Sequence, residues 1–456
     1  MAEVDRLSGT EHAGSWLLWR RGLALVSACV AGATLSLLAP WALAFDPQVW
    51  VLWGRDALAL SLDTDGGPSW KPLAVLITTA LAPAGSAAGV LWLVVARAGG
   101  LLAIAGALYV GRRLGGRAAG AVAALVLLAS PWWLLHTALG NSEGLLAAAV
   151  LWGVMAHLDR RFGAALALAL AAGLLRPETW PFLAAYAIWT WRSQPALRAA
   201  VAAMLAALAA LWLLPDLLDT EGALAAVGGA RGITSPESAQ QAAIPGFAVL
   251  VDAAGQVTLP GLVAAAVALA PCRDASATVR TIGAAALAYA VLVAVATQAG
   301  FAGNPRYLVP ASTLGAVLAG IGAARLGRFT PAGMPVALAA FTAAIIALQA
   351  HTLRADVQEL GWRASQRTAL NGALERAGGV SALRACGEVR TAHLTRALVA
   401  WRFELGLRRI DSAPVTPGVL LRSQPRQRAT LEPPVPRGFT RAATAPGWEI
   451  WTACRR

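Results

Sequence analysis

Asp46, Lys71, Arg176 and Arg306 are the residues whose types best suit chemistry on a charged substrate. A carboxylate such as Asp46 can take the proton of an attacking hydroxyl or hold a metal ion. Arginine presents a planar fork to phosphate oxygens, and lysine presents a compact point charge. Lys71, in Ser-Trp-Lys-Pro-Leu, is the single lysine among 37 Lys plus Arg. Glu143, Glu178 and His136 extend the acid–base set, and Tyr307 stands beside Arg306. Each has a plainer reading. Asp46, ahead of Pro47, can mark a helix end at the interface. Glu143 and Glu178 can favour a helix dipole. The cations can snorkel to a membrane boundary, and His136 can be a packing residue.

The elements that must position these residues are membrane helices. The chain of 456 residues is 57% hydrophobic and 13% charged, against about 25% charged in soluble proteins. Many runs reach the roughly 20 apolar residues needed to cross a hydrocarbon core. Residues 22–44, after Arg20 and Arg21, read as a first span, although Ala42-Leu-Ala44 also resembles a signal-peptide cleavage site. Further spans are expected near 88–110, 118–139, 142–158, 163–176, 180–193, 199–215, 256–272, 278–299, 305–323 and 332–351. This gives an all-α polytopic membrane protein of about eleven transmembrane helices.

Arginine-rich loops mark the cytoplasmic side. They include Arg112, Arg113 and Arg117, then Arg160 and Arg161, then Arg192 to Arg198. Residues 1–20 are then cytoplasmic, 21–351 form the membrane domain, and 352–456 form a small α+β domain outside the plasma membrane. Segment 45–87 reads as an outer loop with helices lying on the membrane surface. In this topology the loops 45–87, 138–144, 174–182, 215–241 and 302–310 share one face, which gathers the acids and cations named above.

Most of the +13 net charge lies in the tail. That charge suits a solvated surface, anionic lipid or an acidic polymer, and no nucleic-acid-binding motif accompanies it. The tail opens with a helix-like stretch, and "GVLLRSQ" and "GWEIWTAC" read as strands. Cys386 and Cys454 both fall in it and can form a disulfide in an oxidising compartment. Cys29 and Cys272 lie in or beside apolar runs and read as packing residues. No Cys/His spacing matches a zinc site.

The order of motifs resembles the GT-C superfamily of membrane glycosyltransferases, the group of protein O-mannosyltransferases and lipid A aminoarabinose transferases. An Asp follows the first helix in "FDPQVW", and a basic residue precedes a proline and an apolar run in "SWKPL". Arg97 opens the next span, which closes on "YVGRRLGGR", and "LLRPE" and "NPRYLVP" follow. The resemblance covers roughly residues 20–325. It implies a GT-C-like fold and a polyprenyl-phosphate-linked sugar as donor. It also implies transfer to an extracytoplasmic glycan, lipid or protein of the cell envelope. Asp46 becomes the expected base, with Glu143 as the second acid, and Lys71, Arg176 and Arg306 become donor-phosphate contacts. Arginines or a divalent ion such as Mg or Mn would stabilise the leaving phosphate. The chain departs from the pattern at Glu143, which is displaced behind Gly-Asn, and at Asp46-Pro47, where Asp-Glu or Asp-Asp is common. These departures leave room for a changed acceptor or an inactive relative that binds envelope polymer.

A flippase for lipid-linked sugars is the remaining rival. It would place polar residues near the bilayer midplane, usually with an internal repeat; here they cluster at one face.

Overall fold

The computed structural model describes residues 22–130, 133–218, 238–270, 276–328, 334–424 and 429–454. The expected cytoplasmic segment 1–20, Cys272 and most of the loop 215–241 lie outside the described residues.

The chain is mostly helical. Helix α1 (Gly22–Leu38) is followed by α2 (Phe45–Leu58), α3 (Pro72–Leu81), α4 (Ala88–Gly115) and α5 (Arg117–Leu128). Then come α6 (Trp133–Ala138), α7 (Glu143–Leu158), α8 (Phe162–Leu175), α9 (Trp180–Ser193) and α10 (Arg198–Leu218). After these follow α11 (Pro245–Val257), α12 (Leu259–Leu269), α13 (Ala277–Gln298) and α14 (Val309–Arg328). Alanine dominates the contact between α4, α5, α7, α12 and α14, with Ala103, Ala107, Ala119, Ala123, Ala147, Ala264, Ala316 and Ala319 all buried there. Small side chains let helix backbones approach closely where lipid supplies no hydrophobic drive. Leu23, Leu287 and Val295 point outward, each more than half exposed, as lipid-facing residues do.

Four helical stretches among the described residues are long and apolar enough to cross a membrane: Pro72–Gly115, Pro195–Leu213, Ala277–Gln298 and Pro305–Gly327. Helices α11 and α12, bent by 91° at their junction, make a fifth if they count as one broken span. The sequence expectation of about eleven is not reached by this count. The reason is length: Gly22–Leu38, Arg117–Leu128, Glu143–Leu158 and Phe162–Leu175 are apolar but hold only 10–17 residues.

The tail begins without a break. Helix α15 (Met334–Arg376) runs 43 residues from the apolar stretch into the polar one, so the expected boundary at 351/352 falls inside a helix. Beyond it come α16 (Gly379–Cys386), β1 (Glu388–Thr391), α17 (Arg396–Arg402), β2 (Gly418–Ser423), β3 (Thr440–Ala445) and β4 (Trp448–Ala453). The sheet order is β1-β2-β4-β3. Strands β1 and β2 pair in parallel across α17, and the β3–β4 hairpin is antiparallel. Cys386 and Cys454 are joined by a disulfide, which ties the end of α16 to the end of the sheet.

Helix α2, expected at the membrane surface, is enclosed within the protein. Val49, Trp50, Val51, Leu52 and Trp53 are all buried in succession, so every side of the helix is covered. On one side are Ala74, Val75, Trp92 and Ala96 of the membrane helices. On the other are Leu370, Ala373, Phe403 and further residues of the tail. The tail thus supplies part of the apolar cover of α2. Arg408 latches the loop after α2 to the tail through Asp63 and Asp65, at 3.7 and 3.1 Å.

Candidate active site

Asp46 stands in the first turn of α2, which starts where Ala44 N donates to Leu139 O. Its partner comes from far along the chain. Asn304 and Pro305 turn the backbone into a short 3-10 segment ahead of α14, which carries Arg306. Arg306 Nη1 donates to Asp46 Oδ2 at 2.8 Å across 260 positions. The Asp46 and Arg306 side chains are 14% and 23% exposed, so the pair is reachable.

Behind it is a more deeply buried group. Arg176 caps the end of α8 in an extended conformation and turns inward. Its Nη2 donates to Glu143 Oε1 at 2.9 Å and its Nη1 to Glu178 Oε1 at 3.4 Å. The guanidinium lies 4.4 Å from the centre of the Tyr307 ring. The side chains of Arg176 and Glu143 are only 5% and 1% exposed. Pairing offsets the cost of burying such charges. Glu143 is placed by a braced turn: Trp92 Nε1 donates to Gly140 O at 2.8 Å and Arg97 Nη2 to Ala138 O at 2.8 Å. Arg97 also donates to Ser36 O and Ser36 Oγ. The structure therefore places Arg97 as a brace for the site and not in it.

Lys71 occupies the N-cap of α3, extended, with Pro72 opening the helix. It is buried, and its Nζ donates to Ser142 Oγ at 2.7 Å. The ammonium sits 4.9 Å from the Trp50 ring centre. Unlike the two arginines, it touches no carboxylate among the described residues. It lies within Coulomb range of Arg176, Glu143, Arg306 and Asp46, so all five groups form one electrostatic unit. Burial first, and then Arg176, push the Lys71 ammonium down to about 7, while Glu143 pulls it back up. An arriving anion would favour the charged form.

A cavity of about 500 Å³ opens between these helix ends and the tail. Asp46, Gln48, His136, Asn141 and Arg306 form one wall. Trp362, Arg363, Gln366 and Arg367 of α15 face them, together with Thr395, Gln424 and Trp448. Lys71, Glu143, Arg176, Glu178 and Tyr307 do not line this cavity. A small void of about 10 Å³, bordered by Glu143, lies behind it, and His136 and Arg306 border both spaces. The Asn141 amide N–H donates to His136 Nδ1 at 3.1 Å, which ties the histidine to the braced turn. No group of three or more His, Cys, Asp or Glu side chains that could hold a metal ion occurs among the described residues.

The α15 residues were missed at the sequence level. Their signal was the recurrence of Glu359, Arg363 and Arg367 at intervals of four, with Trp362 and Gln366 alongside, which puts them on adjoining faces of one helix.

No family model and no curated protein matches the sequence. Solved structures do match the fold. ArnT from Cupriavidus metallidurans bound to undecaprenyl phosphate superposes with a TM-score of 0.58 at 15% identity, covering 94% of this chain and 97% of that one. The same protein in the apo state gives a TM-score of 0.60 at 14% identity, covering 97% and 98%. At such identity the likeness is one of fold. Over almost its whole length the chain has the fold of ArnT, and the resemblance to GT-C membrane glycosyltransferases that its motifs carry holds at that level.

Proposed function

We propose that this chain is a membrane glycosyltransferase that moves a sugar from a polyprenyl-phosphate donor to an acceptor outside the membrane. The observation that carries the reading is the Asp46–Arg306 pair on the wall of a 500 Å³ cavity, backed by a buried lysine with no carboxylate contact. The fold shared with ArnT, which was crystallised with undecaprenyl phosphate, supports the choice of a lipid-phosphate donor. The cavity end and the tail then face the extracytoplasmic side, residues 1–20 the cytoplasm, and the shorter apolar helices complete the crossings.

The chemistry needs three things from the protein: orientation of the sugar carbon, a proton acceptor and stabilisation of the departing charge. Asp46 Oδ2 is held by Arg306, which leaves Oδ1 to accept the proton of an acceptor hydroxyl. The acceptor's hydroxyl oxygen, losing its proton to Asp46, forms a bond to the anomeric carbon as the bond from that carbon to the donor phosphate oxygen breaks. The electron pair stays on the phosphate, and the polyprenyl phosphate leaves. Arg306, on the cavity wall, receives the phosphate charge, and the buried Lys71 adds its field from behind. Arg176, clasped by Glu143 and Glu178, holds the field behind them. No step is assigned to a metal ion.

The test is incubation of purified protein with a panel of polyprenyl-phosphate sugars and candidate envelope acceptors. One arm contains Mg or Mn and another a chelator. Release of polyprenyl phosphate that disappears in Asp46→Asn supports the reading. Transfer that survives Asp46→Asn removes Asp46 as the base, and no transfer with any donor favours a flippase or a non-catalytic scaffold.

A further inference from the structure

The cavity has two unlike walls. The membrane-side wall carries the ion pair used above. The wall on α15 has no part in that chemistry, yet it is equipped for a ligand. Arg363 Nε donates to Glu359 Oε1 at 2.7 Å, so its charge is answered within the helix. Arg367 makes no hydrogen bond and no ion pair among the described residues. The central carbon of its guanidinium sits over the Trp41 ring, 3.4 Å from the centre, and the nearby charge is that of another cation, Arg402. The stack fixes one face of the fork and leaves its N–H edges for an anion.

Three amide oxygens add a second requirement. Gln48 Oε1, Asn141 Oδ1 and Gln366 Oε1 are buried without a hydrogen-bond partner, and all three side chains border the cavity. Their N–H groups are used: Gln48 Nε2 donates to Leu43 O at 2.8 Å, Asn141 to His136, and Gln366 Nε2 to Pro446 O at 3.4 Å. What each amide retains is an acceptor, so the fitting ligand is one that brings donors. Hydrocarbon brings none, and neither does a fully ionised phosphate. Sugar hydroxyls do, and Trp362, only partly buried on the same wall, offers the apolar ring surface a pyranose packs on.

We propose that the α15 wall binds an acidic glycan, with its hydroxyls read by Gln48, Asn141 and Gln366 and a carboxylate held by Arg367. The wall thereby makes this glycan the acceptor class of the transferase. Only the word acceptor rests on the transferase reading, since binding of the glycan can be measured without donor.

The experiment titrates purified full-length protein, without donor, with a tetragalacturonate and with a neutral glucose tetrasaccharide. Wild type is expected to bind the uronate at least about tenfold more tightly, as a charge-assisted hydrogen bond contributes. Arg367→Gln should bring the uronate down to the neutral level. Arg441→Gln removes the same charge from β3, outside the cavity, and should keep the preference. Equal affinity of wild type for the two sugars, binding of neither, or an unchanged preference in Arg367→Gln overturns the proposal. A preference lost equally in Arg441→Gln also does so, by showing diffuse attraction. If Arg367→Gln does not fold, the wild-type comparison decides alone. Uronate binding without transfer from any donor would remove the transferase and leave this site standing. Transfer without uronate preference would do the reverse.

Discussion

Two arginine–carboxylate pairs of nearly equal length stand where the membrane helices meet the tail, Arg306–Asp46 at 2.8 Å and Arg176–Glu143 at 2.9 Å. They differ in burial. The first is reachable from a cavity, and the second is shut behind it. A reachable pair can exchange partners with a ligand, so its carboxylate is available for chemistry. A sealed pair cannot trade its partner for ligand or water, so breaking it leaves a buried charge poorly compensated. The same two residue types, at the same distance, are therefore assigned different work.

The sharpest way to break this comparison is to neutralise each carboxylate in turn. Asp46→Asn should lower sugar transfer by about a hundred- to ten-thousandfold, the usual contribution of a general base. Its thermal midpoint should move little, since partly solvated pairs contribute about 1 kcal/mol or less. Glu143→Gln should show the opposite pattern, with a stability loss of about 3 kcal/mol as Arg176 keeps only the longer contact to Glu178. Transfer assays and melting curves on both variants read the two axes. A Glu143→Gln protein as stable as wild type would contradict the division of roles, as would an Asp46→Asn protein that transfers normally.

Lys71 stands between the two pairs: buried like the inner one, yet without a carboxylate contact. Its ammonium is held down to about 7, so it carries a proton below that pH and loses it above. A sugar phosphodiester donor keeps its single negative charge throughout. Donor affinity should therefore fall as pH rises past 7, by up to about tenfold per unit, because binding needs the protonated lysine. Lys71→Arg stays charged at every working pH and should flatten the profile. Donor titrations from pH 6 to 9 check this, and a wild-type profile as flat as that of Lys71→Arg would remove Lys71 from the phosphate site.

Much of this arrangement was visible in the sequence. The lipid-facing class followed from composition, and two of the strands from alternation between turn residues. That Asp46 and Arg306 end on one face followed from the count of arginine loops between them. Which cation meets which carboxylate did not, because a contact across 260 positions leaves no local trace. The cover over helix α2 was hidden for a related reason. Its apolar residues look the same whether lipid or a folded tail covers them, and the tail that covers them lies more than 300 positions away, where Arg55 Nη2 donates to Leu405 O. The α15 wall was hidden because a polar helix face reads as solvent-exposed until something is seen opposite it.

A smaller effect tests whether the braced turn serves the site. Gly140 and Gly116 both have positive φ, 80° and 89°. A Cβ at Gly140 would come within 2.8 Å of Leu43 Cδ2, whereas one at Gly116 meets nothing within 4 Å. Backbone strain alone should cost about 1–3 kcal/mol in either alanine variant. Gly116 ends α4, far in sequence from any candidate site residue, so Gly116→Ala should lower the melting temperature and leave the KM and kcat of the folded fraction alone. Gly140→Ala should do more, because its clash pushes on the turn that delivers Asn141 and Glu143. We expect kcat to drop several-fold and KM for donor to rise as well, since Ser142, which holds the Lys71 ammonium, lies on the same turn. Equal kinetics in the two variants would mean that the turn braced by Trp92 and Arg97 supports the fold and not the geometry of the cavity wall.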